Sequence, residues 1–214
     1  MTKYSDGGQN SSLPRLLYIG DVPVESSYHG SALLYRLLQT YPADRLMIVE
    51  AGLEVSLPAR RLPIVQYRSA LQPGKRWLRT RFHRLVTSLF TLFAPHRART
   101  IQQTLGEFRP EAVITVAHGY SWIAAARYAK HQNLPLHLII HDDWPRGLRG
   151  FTQMSALVND VFSDIYHQAK SCICVSPSMV DEYQQRYGKK GSLLYPARSV
   201  MALAIKVESA RVVY

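Results

Sequence analysis

Four short apolar runs in this sequence each stop abruptly and are followed at once by polar residues or glycine. The clearest run lies within residues 133–140, N-L-P-L-H-L-I-I, and His141, Asp142 and Asp143 follow it. The other three runs are 15–19 before Gly20-Asp21, 112–116 before Ala117-His118-Gly119, and 171–175 before Ser176-Pro177-Ser178. Because ligands bind outside the carboxyl ends of the strands in an open parallel α/β sheet, this pattern predicts a crevice along one edge of such a sheet.

Strands and helices alternate along the predicted chain. The predicted strands are residues 13–19, 46–50, 64–67, 112–116, the run within 133–140, 171–175 and 193–195. The predicted helices are residues 31–40, 76–93, 96–108, 121–131 and 157–170, then a helix that Ser176 caps, Pro177 begins and Gly188 ends. Proline is tolerated in the first turn of a helix, and glycine is favoured just after the last. This alternation predicts an α/β fold, a Rossmann-like parallel sheet with helices on both faces.

Composition excludes several classes of protein. With 47% hydrophobic residues in 214, the chain can bury a sizeable core, so global disorder is not expected. No apolar run approaches the roughly 18 residues that span a bilayer, and the polar N-terminus lacks the apolar centre of a signal peptide. Cys172 and Cys174, the only cysteines, have neither zinc nor redox spacing and read as small buried side chains. These features favour a cytoplasmic protein.

The net charge of +11 is concentrated in one part of the chain. Residues 75–109 carry eight Lys and Arg against one acid, Glu107. The first five of these basic residues are Lys75, Arg76, Arg79, Arg81 and Arg84. They alternate with Trp77 and Phe82, which is compatible with a helix lying on the anionic inner face of a membrane, but also with an ordinary solvated basic face. No recognition motif supports binding of nucleic acid.

The segment after residue 140 is the strongest candidate for chemistry. A histidine at a strand end projects into the crevice and exchanges protons near neutral pH. We therefore expect His141 to contact a ligand, and Asp142 either to orient the imidazole or to bind a hydroxyl-rich or cationic ligand. The alternative is that Asp142 or Asp143 caps a turn.

Two further loops at predicted strand ends carry candidate binding residues. In the first, Gly119 allows close approach of a ligand between His118 and Tyr120, and Ser121 is placed to cap the following helix. In the second, His29 and Gly30 open the first helix, whose N-terminus is a ready site for an anion. The spacing there is not G-x-G-x-x-G, so a dinucleotide site is not indicated.

A hydrolase is a weaker alternative. Residues 119–123 match half of the G-x-S-x-G elbow, and Ser121, Asp142 and His167 follow in the order of an α/β-hydrolase triad. The fifth elbow position is Ile123, however, and His167 falls inside a predicted helix.

Taken in order, the loops and their flanking segments resemble the N-terminal domain of family 4 retaining glycosyltransferases, which have the GT-B fold. The similar segments are residues 16–23 (L-L-Y-I-G-D-V-P), 29–38 (H-G-S-A-L-L-Y-R-L-L), 109–121 (R-P-E-A-V-I-T-V-A-H-G-Y-S), 134–145 (L-P-L-H-L-I-I-H-D-D-W-P) and 172–196 (C-I-C-V-S-P-S-M through L-L-Y-P).

The resemblance implies two facing Rossmann-like domains with sugar transfer in the cleft between them. The N-terminal half holds the acceptor, and the other half holds the nucleotide-sugar. It implies that His141 lies near the transferred sugar and helps to stabilise positive charge at its anomeric carbon, and that His29-Gly30 corresponds to the family's first loop. Acceptor contacts are then expected from His29, Gly30, His118, Gly119, Tyr120 and Asp142. No cofactor and no metal site are expected, with the nucleotide-sugar as a co-substrate.

The expected domain organisation has three parts. Residues 1–12 are a disordered tail, residues 13–198 the Rossmann-like domain, and residues 199–214 a linker with the first strand of a further domain. On this view the donor half is absent from the chain, which would be inactive alone. A Rossmann domain that only binds a ligand, without catalysis, is the alternative from another class.

Overall fold

The structure, a computed structural model, describes residues 13–27, 29–52, 54–70, 92–143 and 152–195. Three predicted features therefore lie outside the described residues. These are the tail of residues 1–12, the basic segment with most of the predicted helix 76–93, and the linker of residues 199–214.

Seven parallel strands form one sheet in the described part of the chain. They are β1 (Leu16–Gly20), β2 (Leu46–Glu50), β3 (Gln66–Ser69), β4 (Ala112–Val116), β5 (Leu136–Ile140), β6 (Ser171–Cys174) and β7 (Ser192–Leu193). Their order is β3-β2-β1-β4-β5-β6-β7. The order reverses between β1 and β4, and this switch point is where such sheets form a ligand crevice.

Five α-helices connect the strands within the residues that the structure describes. They are α1 (His29–Leu38), α2 (Ala94–Thr104), α3 (Ser121–His131), α4 (Thr152–Gln168) and α5 (Pro177–Tyr187). Short 3₁₀ helices at Ala43–Arg45 and Pro58–Arg60 lie in described loops. None of the helices in this part of the chain combines the length and the apolar character needed to cross a membrane.

The central strands are buried on both faces, which accounts for their continuous apolar sequence. Alternate residues of a strand point to opposite faces, so Leu17 and Ile19 belong to one hydrophobic cluster while Leu16 and Tyr18 belong to another. The larger cluster includes side chains of α2, α3, α4 and α5, and the smaller one includes Leu34 and Leu38 of α1. The predicted fold class, with helices on both faces, is confirmed.

The bounds of several elements differ from those predicted. The strand β2 and the helix α3 agree with the prediction, and Ser176 caps α5 by accepting the Met179 N–H at 3.2 Å. The helix α2 begins before Pro95 rather than after it, because proline fits within the first turn. The strand β3 begins two residues late because Ile64 adopts a left-handed φ of 67° that turns the chain first.

Candidate active site

The switch point brings the ends of three strands together. Asp21 follows β1, His118 lies just after β4, and His141 follows β5 directly. The first turn of α1 approaches the same edge, because Gly30 lies next to the ring of His141. We call this edge, with Gly30, His118, His141 and Asp142, the crevice.

The imidazole of His141 is the most deeply placed of the polar groups in the crevice. Its side chain is 17% exposed, and its Nδ1 lies 3.0 Å from Oδ2 of Asp142. Its Nε2 is buried and has no hydrogen-bond partner among the described residues. Burial lowers the pKa of His141, and His118 adds to this effect, while the neighbouring Asp142 opposes it. The neutral ring is therefore favoured near pH 7.

The ring of His118 stacks on that of His141. Their centroids are 5.3 Å apart, with 18° between the planes. The Nδ1 of His118 lies 3.4 Å from the same Asp142 oxygen that His141 approaches. A single carboxylate oxygen, on a side chain that is 56% exposed, thus lies between two imidazoles.

The contact with Asp142 determines which nitrogen of His141 carries the proton. A carboxylate accepts hydrogen bonds, so the ring donates through Nδ1–H. In the neutral ring Nε2 is then the bare acceptor. His141 consequently presents an unprotonated nitrogen beside α1.

Gly30 determines how much room is left beside that nitrogen. A Cβ at this position would lie 3.7 Å from Nε2 and 3.6 Å from Cε1 of His141, and 3.4 Å from Cγ1 of Val22. These are ordinary contacts, so glycine is not required for packing, but its absence of a side chain keeps the space open. The first turn of α1 also carries no acidic residue, so its N–H groups and positive dipole end face no fixed negative charge within their own turn.

Asp21 organises the loop that carries His118. Its Oδ2 accepts the N–H groups of Tyr120 at 2.8 Å and Ser121 at 2.6 Å. Gly119 has a left-handed φ of 61°, and a Cβ there would collide with the Asp21 carboxylate. Burial raises the pKa of Asp21, although the two N–H groups and Arg97 act in the opposite direction. Asp21 thus holds the start of α3 from another strand.

Residues 47–197, more than half of the chain, match the model of Glycosyltransferase Family 4. This chain belongs to glycosyltransferase family 4. No curated protein matches the chain. The matched residues of the family 4 domain include His118, His141 and Asp142.

Some of the predicted site residues lie together in the crevice of the family 4 domain, and others do not. His118, His141, Asp142 and Gly30 come together in the crevice. Tyr120 instead packs in the larger hydrophobic cluster and is 5% exposed, so its side chain belongs to the core. His29 begins α1, and its side chain lies outside the described residues, as do Lys75, Arg76, Arg79, Arg81 and Arg84.

The predicted cap of α3 was wrong. Ser121 is the first residue of the helix, and its side chain does not cap it. Its Oγ accepts a hydrogen bond from Nη2 of Arg97 at 2.9 Å and donates to the Ala51 carbonyl at 3.3 Å. Asp21 replaces it as the acceptor at this helix start. The only sign of this in the sequence was Gly20-Asp21 after the first strand, and nothing there indicated a partner about 100 residues away.

The hydrolase alternative does not fit the family 4 domain. Ser121 is fully buried, so a substrate carbonyl cannot reach its hydroxyl. His167 lies in the last turn of α4 on the exposed surface. A nucleophilic serine must instead be exposed at the end of its strand.

Asp143 has a different surrounding from its neighbour Asp142. Its two carboxylate oxygens accept hydrogen bonds from the Arg186 guanidinium at 2.6 and 3.2 Å, and the Tyr183 hydroxyl donates at 3.3 Å. Both partners lie on α5. The carboxylate of Asp143 therefore ties the end of β5 to α5.

Proposed function

We propose that this chain is the acceptor-side domain of a hexosyltransferase, which moves a sugar from a nucleotide-sugar to a glycan, a lipid-linked acceptor or a small molecule. Membership of glycosyltransferase family 4 supports sugar transfer as the reaction. In this proposal the nucleotide-sugar is a co-substrate held mainly by a second Rossmann-like domain. The acceptor contacts come from the crevice and from the first turn of α1.

The observation that carries the proposal is the buried Nε2 of His141. Buried polar atoms in folded proteins nearly always have a hydrogen-bond partner, and one without a partner needs an explanation. This atom lies at the carboxyl end of β5, next to the switch point, and Gly30 leaves space beside it. A bound substrate hydroxyl would supply the missing partner.

The geometry suits the charge that develops in sugar transfer. As the bond to the leaving nucleotide breaks, positive charge grows at the anomeric carbon. A bare imidazole nitrogen backed by the Asp142 carboxylate presents electron density there, and groups already oriented toward developing charge are the strongest catalytic contributors. The N–H groups of the first turn of α1 suit an anionic group such as a phosphate.

A transfer assay on the protein that carries this domain tests the proposal. Purified protein is incubated with a panel of nucleotide-hexoses and a panel of glycan, lipid-linked and small acceptors. Mass spectrometry should show an acceptor gaining the mass of one hexose residue, and omitting the donor should abolish the product. Saturable acceptor binding without transfer from any donor would instead support the domain that only binds.

We propose further that the protein works at the inner, cytoplasmic face of an anionic membrane, which its basic segment contacts. The support is the concentration of positive charge in residues 75–84, together with Trp77 and Phe82. Each basic residue near an anionic surface contributes about 1 kcal/mol, so changing Arg76, Arg79 and Arg81 to Glu should abolish sedimentation with anionic vesicles. Equal binding to neutral vesicles, or none to either kind, would contradict this location.

A further inference from the structure

The crevice brings together a set of side chains that no spacing along the chain revealed. His118 and His141 each offer a ring nitrogen and Asp142 offers a carboxylate oxygen, and these three atoms all lie within 4.8 Å of one another. His118 precedes the other two by more than 20 residues and reaches them only because β4 and β5 are neighbours in the sheet. Two imidazoles and one carboxylate are the ligands that zinc and related transition metals prefer.

We propose that His118, His141 and Asp142 bind one transition-metal ion of the Zn²⁺ class. The Nδ1 atoms of the two histidines lie 3.4 and 3.0 Å from Asp142 Oδ2. Ligand atoms that share a metal at about 2.0–2.2 Å have separations of this size. The inference does not depend on the sugar-transfer proposal, since it concerns the ligand atoms alone.

One ring must turn for both histidines to bind through Nδ1. The rings are stacked with 18° between their planes, and a metal must lie near the plane of each ring it binds. The His118 side chain is 42% exposed, against 17% for His141. In this proposal the more exposed ring, His118, turns and gives up its stacked arrangement, while His141 and the end of β5 remain in place.

Asp143, the acidic residue next to Asp142, does not complete the coordination shell in this proposal. Asp143 is bonded to Arg186 and Tyr183, so binding a metal would cost it those partners. Three protein ligands leave at least one position for water or for an oxygen of a bound molecule, as in open zinc sites. In this proposal the open position lies on the solvent side of the ion, because Asp142 and His118 are the more exposed of the three ligands.

A bound ion would also change what His141 offers on its other side. A metal bound to Nδ1 needs that nitrogen unprotonated, so the single proton of the neutral ring would move from Nδ1 to Nε2 by exchange through solvent, with no net release of a proton. The buried nitrogen beside Gly30 thus becomes a donor when the ion is bound and is an acceptor when it is not.

Isothermal titration calorimetry on the tag-free chain, stripped with EDTA and exchanged into chelator-free buffer, tests the site. Zn²⁺ should bind one ion per chain with micromolar affinity or tighter, whereas Mg²⁺, which prefers oxygen ligands, should not. His118→Gln and Asp142→Asn should each weaken Zn²⁺ binding by at least about 100-fold, because loss of a ligand exceeds the effect of losing an outer-shell partner. Both variants should melt close to the unaltered chain.

His131→Gln is the matched control. His131 is an exposed histidine at the opposite end of α3, and its replacement should leave Zn²⁺ binding unchanged. The proposal is overturned if no saturable binding of one ion is seen. It is equally overturned if His118→Gln and Asp142→Asn bind Zn²⁺ as well as the unaltered chain, or if His131→Gln loses the binding.

Discussion

Asp142 and Asp143 are consecutive, yet they lie in two regions that differ in whether their buried polar groups have hydrogen-bond partners. Asp143 faces the packing of α4 and α5, where the described hydroxyls of Tyr166, Tyr183 and Tyr187 all have partners. Asp142 faces the crevice, where a buried nitrogen of His141 has none among the described residues. The polar groups around α4 and α5 join elements of secondary structure. We infer that the buried nitrogen in the crevice instead bonds to a ligand from outside the chain.

Aromatic rings show the same contrast. Phe162 packs edge-on against Tyr183 at 5.8 Å and contacts three other rings of the larger cluster, and it is fully buried. The stacked rings of His118 and His141 lie at the carboxyl ends of β4 and β5, and both approach the exposed Asp142 carboxylate through Nδ1. Interactions around α4 and α5 are expected to set stability, and those of the crevice are expected to set function.

The largest expected effect on stability separates the two aspartates. Asp143→Asn removes the charge that Arg186 binds and should lower the free energy of unfolding by about 1–3 kcal/mol, because it weakens charge-assisted hydrogen bonds that are partly buried. Asp142→Asn is the matched control at a more exposed position and should stay within about 0.5 kcal/mol. Urea unfolding measures both, and equal losses in the two variants would mean that the two regions do not differ as described.

The different roles of the two aspartates could not be predicted from the sequence. The apolar runs predicted the sheet, its parallel order and the crevice edge, because burial on both faces imposes a continuous apolar strand. The separate roles of Asp142 and Asp143 depend on Arg186, which lies 43 residues later on α5. The role of Asp21 depends on two backbone N–H groups about 100 residues away. Local pattern carries no information about such partners, which only the assembled fold brings close.

A second prediction concerns Gly30, where stability and function should change in opposite directions. Alanine fits sterically, and it should raise the free energy of unfolding by about 0.5 kcal/mol because it loses less backbone entropy in a helix. The added methyl group would occupy space beside Nε2 of His141, and kcat/KM for transfer should fall about tenfold, since small displacements in a site are costly. Thermal melts and the transfer assay provide the two readouts. A variant of unchanged activity would show that no ligand passes between Gly30 and His141.

The smallest expected effect concerns His137, which lies on β5, the strand that His141 follows. Its Nδ1 lies 2.7 Å from Oγ of Ser171, and burial, assisted by Lys170, lowers its pKa. Its folded pKa is therefore below the unfolded one, so the unfolded chain binds the proton more readily. Its contribution to stability should be complete above the unfolded pKa of about 6.5 and should be lost as pH falls through the folded pKa.

Thermal melts of His137→Gln and the unaltered chain between pH 8 and pH 5 would measure this contribution. The decline of Tm toward low pH should be shallower in the variant, and His131→Gln, at an exposed position, should follow the unaltered chain. Parallel curves for all three proteins would show that His137 titrates alike in the folded and unfolded states.

The central claim is that His141 serves a substrate rather than the fold, and His141→Ala in the sugar-transfer assay tests it most directly. The substitution should lower kcat/KM by about 100-fold or more, because it removes a group oriented toward the transition state. The free energy of unfolding should change by less than about 1 kcal/mol, since the ring lies at the sheet edge and its Nε2 bonds no described residue. His131→Ala, at the far end of α3, should change neither quantity. A His141→Ala protein that melts far earlier but transfers sugar with unchanged kcat/KM would contradict the account.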